Sequence, residues 1–71
     1  MKIQFDRIPR TIMEKFSGHC IAESINSYHS DVVIRDMILQ QHNCIRVIEN
    51  GDLYYQFDRD ADYTWFLLVW A

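Results

Sequence analysis

A chain of 71 residues has room for one domain, and a domain of that size buries only roughly 60% of the surface its unfolded form exposes, so a metal, a disulfide or a partner is a plausible source of added stability. Its 49% hydrophobic and 14% aromatic content, with two Gly and one Pro, excludes a disordered or low-complexity segment. The net charge of −3 is uneven: residues 1–35 carry five basic and four acidic side chains and residues 36–71 two and six, which argues against a broad phosphate-binding surface.

The opening Met-Lys-Ile-Gln-Phe-Asp-Arg places charges where a secretory signal needs an apolar run, and no stretch approaches the roughly 20 apolar residues of a membrane span. Residues 1–71 are therefore read as one cytoplasmic domain. Cys20 and Cys44, outside any Cys-x-x-Cys arrangement, are expected as reduced, partly buried thiols.

Lys2 to Asp6 alternates, with Ile3 and Phe5 on one side, and predicts an edge strand ended by Pro9. Thr11-Ile-Met-Glu14 has the form of a capping box at the start of a helix. Ile12, Met13, Phe16 and Cys20 share one sector of that helix, whereas Ile21, Ile25 and Tyr28 share another, so a change of direction is expected near Ser17-Gly18. The polar run Asn26 to Ser30 predicts a break. Ser30 or Asp31 then caps a second helix, with Val33, Ile34, Met37, Ile38 and Gln41 on its inner face and Asn43 as its stop.

Cys44–Ile48 and Leu53–Phe57 flank Glu-Asn-Gly and predict a β-hairpin. A two-residue Asn-Gly loop would pair Arg46 with Tyr55 and mix apolar with polar on both faces. A three-residue loop, Glu49-Asn50-Gly51, pairs Val47 with Leu53 and Ile45 with Tyr55 and is the expectation adopted. Asp58 to Asp62 follows as a charged loop, and Tyr63 to Ala71, uncharged throughout, reads as a last strand. Its inward set is Tyr63, Trp65, Leu67 and Val69; Phe66, Leu68 and Trp70 join Arg46 and Tyr54 on the other face. The expected fold is α+β in the order β-α-α-β-β-β, helices on one face of an antiparallel sheet.

Asp58, Asp60 and Asp62 copy the first ligand positions of a calcium loop, but Tyr63 stands where its Gly belongs and Val69 where its bidentate Glu belongs. His19, Cys20, His42 and Cys44 are zinc-ligand types without a zinc spacing. No nucleophile motif, paired-carboxylate context or phosphate loop is present. The reading is a non-enzymatic protein–protein interaction module without metal or cofactor, binding a protein partner or a second copy of itself. Its expected binding set is Arg46, Tyr54, Phe66, Leu68 and Trp70 with the acidic loop Asp58, Asp60 and Asp62. The concrete version is steric blocking of a larger enzyme, in the manner of small phage-encoded inhibitors. The alternative is a single-stranded nucleic-acid module using the sheet aromatics with Lys2, Arg7, Arg10 and Lys15.

Overall fold

The computed structural model describes residues 1–71. Strand β1 (Lys2–Gln4) runs into a 3-10 turn (Phe5–Arg7), followed by helices α1 (Arg10–Asn26) and α2 (Asp31–Gln41), strands β2 (Cys44–Glu49) and β3 (Asp52–Phe57), and helix α3 (Asp60–Val69). The architecture is α+β, with an antiparallel sheet of order β1-β3-β2. All three helices lie on the face that carries Ile3, Cys44, Tyr55 and Phe57. The core there is Ile8, Met13, Phe16, Cys20, Ile34, Leu39, Cys44, Tyr55, Phe57 and Phe66.

The last element corrects the expected order: Asp60–Val69 is a helix, so the sheet has three strands. An apolar run of this length suits either state by periodicity alone, and what precedes it decides. The backbone N–H of Arg59 donates to Asp62 Oδ2 at 3.1 Å and the Asp62 N–H donates to the Arg59 carbonyl at 3.0 Å, fixing the first turn of the helix. Asp60 and Asp62 place negative charge in the first turn, where the helix dipole favours it. Asp62, Phe66 and Trp70 then recur one turn apart, and that row, rather than an alternation, faces inward.

The hairpin takes the two-residue Asn50-Gly51 turn, not the expected three-residue loop that pairs Val47 with Leu53. Asn50 and Gly51 have φ of 51° and 83°, both in the left-handed region that a type I′ turn requires. Arg46 therefore lies opposite Tyr55, and Ile45 opposite Gln56. The guanidinium on the helix-side face is accommodated because α2 supplies a partner: Arg46 Nε and Nη2 donate to Asp36 Oδ1 and Oδ2 at 2.6 and 3.0 Å.

In the helical half, α1 begins straight after Pro9, whose carbonyl accepts from the Met13 N–H at 3.1 Å. Thr11 sits inside the first turn and forms no cap, and Glu14 accepts from Arg10 Nε at 2.9 Å. The helix does not break at Ser17-Gly18. The second apolar sector consequently points outward, leaving Ile21 49%, Ile25 78% and Tyr28 fully exposed. The break at residues 27–30 occurs as expected, and Ser30 Oγ accepts from the Val33 N–H at 3.3 Å. The inner face of α2 is rotated from the expected one: Ile34 and Leu39 are buried, whereas Val33 and Met37 are exposed. Asn43, at φ 54°, ends this half and starts β2.

Candidate interaction surface

The expected binding set does not form one surface. Phe66 is fully buried, edge-on to Phe16 at 5.2 Å and to Phe57 at 5.6 Å between ring centroids, and cannot reach a partner. Trp70 is half-buried against Phe16, and its Nε1–H donates to His42 Nε2 at 3.2 Å. Leu68 is 72% exposed on α3. Tyr54 lies on the opposite, helix-free face of the sheet, beneath a Lys2–Glu49 ion pair of 2.6 Å, with Lys2 Nζ 5.1 Å from its ring centre. Asp58 and Asp60 are exposed, but Asp62 is buried and committed to the α3 cap and to Asn43 Nδ2, which donates to it at 3.1 Å. Arg46 alone stays at the edge of the sheet. The stacking platform of the nucleic-acid alternative is likewise dispersed, and two of its cations, Lys2 and Arg10, are paired with Glu49 and Glu14.

The joint between α3 and the rest of the chain is closed and largely satisfied. His42 is buried beside Trp65, Phe66 and Trp70. Burial holds its imidazole below the ordinary value, although the Asp62 carboxylate pulls the other way. A neutral ring accepting at Nε2 carries its proton on Nδ1, which has no hydrogen-bond partner. The hydrogen bond from Asn43, more than the Arg59 guanidinium, holds the Asp62 carboxyl below its ordinary value, with burial opposing both. Burial raises the Cys20 thiol and, with Asp58 adding to it, pushes Cys44 up to about 12, so neither is a ready thiolate. No three His, Cys, Asp or Glu side chains converge on a metal-sized site.

The β2 edge of the sheet is open. Glu49 and Asp52 flank a two-residue turn and form its close hydrogen-bonded pair, so the ladder alternates from there: Val47 and Ile45 bond to β3, and Cys44, Arg46 and Ile48 turn their N–H and C=O groups outward. The Asp58 N–H, donating to Asn43 C=O at 3.0 Å, continues the same alternation. No backbone hydrogen bond outside the regular elements occupies those outward groups. Beside them a groove of about 210 Å³ runs between α2 and β2, lined by Asp36, Gln40, Cys44, Ile45 and Arg46. Ile45 and Ile48, on opposite faces of the strand, are 55% and 74% exposed along this edge.

Of these edge residues, only Arg46 belongs to the binding set expected from the sequence. The signal for the rest was the Asn-Gly dipeptide, because its type I′ turn sets the register and with it which β2 groups face out. Family models, curated protein sequences and solved structures contain no match to this chain. No helix of the chain is long and apolar enough to cross a membrane.

Proposed function

We propose that this chain is a non-enzymatic protein-interaction module that pairs its β2 edge with an extended segment of a partner. The carrying observation is the contrast between its two sheet edges. Monomeric proteins protect an edge by making it short, charged, bulged or covered. The β1 edge is three residues long, turns at once into a 3-10 helix and carries Lys2. The β2 edge is six residues long, without Pro, bulge or Lys, and its one cation is already neutralised by Asp36. Strand addition draws affinity from backbone hydrogen bonds and specificity from alternate side chains, which here meet the groove beside α2 on one face and Ile45 and Val47 on the other. A module bound in this way blocks whatever surface the paired segment otherwise presents, which keeps the steric mode of action and moves it from the aromatic set to the edge.

The test is affinity capture from the native host with mass spectrometry, comparing the wild-type chain with Ile48→Pro. Proline at 48 removes an outward donor and leaves every bond between β2 and β3 in place. Partners that bind through the edge are lost from the variant; an unchanged set of captured proteins refutes the proposal.

A further inference from the structure

Building on strand addition as the binding mode, we infer that the β2 edge is self-complementary and that its partner is the β2 edge of a second copy, antiparallel across a two-fold axis through Val47. Continuity of the sheet requires residues of the same face to stand opposite one another, which puts the axis on a residue rather than between two. An axis on Arg46 sets guanidinium against guanidinium. One on Ile48 runs the pairing into the Asn50-Gly51 turn, whose positive φ values end the strand. With the axis on Val47, Arg46 of each copy exchanges N–H and C=O with Ile48 of the other, and both residues have those groups turned outward. No like charges then face each other: Arg46 lies beside the partner's Ile48, and Ile45 beside the partner's Glu49.

The same geometry accounts for the apolar side chains that α2 leaves uncovered. Asp36 and Gln40 line the β2 groove, and Val33 and Val32 lie three and four residues before Asp36, on the same flank of the helix. A second sheet placed edge to edge brings its own α2 against this stripe, burying both valines and Ile48. A standard interface takes about 800 Å² from each partner, about a sixth of the 4830 Å² that the chain exposes. The six-residue edge together with the exposed Val32, Val33 and Ile48 is the surface offered to that contact.

Sedimentation equilibrium of the full chain from micromolar to millimolar concentration is the first test, with an expected rise from 8.6 kDa to twice that mass. Ile48→Pro removes one donor from each copy and is expected to weaken dimerisation roughly tenfold to a hundredfold. Val47→Cys checks the register without relying on proline. Opposed residues of a non-hydrogen-bonded pair have Cα atoms about 4.5 Å apart, within disulfide reach. Mild oxidation therefore links Val47→Cys into a covalent dimer and leaves Ile45→Cys unlinked; the buried Cys20 and Cys44 do not compete. The reverse pattern overturns the Val47 register. A chain monomeric over the whole range, whose captured partners nevertheless disappear with Ile48→Pro, overturns self-pairing and leaves strand addition standing. If it is monomeric and its captured partners ignore Ile48→Pro, both fall.

Discussion

The α3 joint and the β2 edge treat their polar groups in opposite ways. Where α3 docks, Asn43 and the Arg59 N–H donate to Asp62, Trp70 donates to His42, and Phe66 fills the space between Phe16 and Phe57. At the β2 edge, the N–H and C=O groups of Arg46 and Ile48 point into solvent beside exposed Ile45 and Ile48. A flank that satisfies itself holds the fold, and a flank that does not is where a second chain gains most, because its backbone groups exchange water for matched partners while apolar area is buried.

The contrast breaks most readily at Phe66. Phe66→Ala empties a fully buried site and is expected to cost about 3–5 kcal/mol, a large part of the stability of a domain this small. Leu68→Ala, two residues on, is expected to change stability by less than about 0.5 kcal/mol. Urea denaturation of the two variants checks both; similar losses would mean that α3 does not dock as described.

Acid sharpens the comparison next. The His42 imidazole is held below its ordinary 6.5, so as pH falls through that value the unfolded chain takes up a proton that the folded chain refuses, and stability declines. Asp62 is held below its ordinary 3.8, so its contribution is complete above that value and is lost as pH falls through its lower folded-state pKa. Urea midpoints followed downward from neutral pH should show a first decline that His42→Phe abolishes. Asp62→Asn should suppress the decline at lower pH, and Asp60→Asn should leave it. A flat profile between pH 7 and 5 in the wild-type chain would contradict the closed joint.

The smallest effect belongs to the open flank. Asp36→Asn breaks a half-exposed ion pair with Arg46 and is expected to lower monomer stability by about 0.5 kcal/mol. Thermal melts at low protein concentration measure it. A loss several times larger would show that the α2–β2 groove is a structural joint rather than a free edge.

Much of the chain was legible residue by residue. The alternation from Lys2 marked β1, although the strand stops at Gln4 and Phe5 and Asp6 turn into the 3-10 helix; the turn formers from Asn26 to Ser30 marked the break between α1 and α2, and Ser30 and Asn43 marked the ends of α2. The two largest departures, the hairpin register and the last element, share a cause: each expectation put separation of apolar from polar side chains above local chain geometry. That preference rejected the Asn-Gly turn because it put Arg46 on the helix side, where Asp36 from another element compensates it. It also took an uncharged stretch for a strand despite the capping residues ahead of it, and so counted the core residue Phe66 as a binding residue.

Composition and local pattern by themselves determined the α+β class, the two leading helices and the β-hairpin, since periodicity, caps and turn formers act over a few residues. Which face Arg46 occupies, where α3 docks and which strand remains an uncovered edge depend on contacts between residues distant in the chain. Only the tertiary structure decided them, and they separate the flank that closes on itself from the one that stays open.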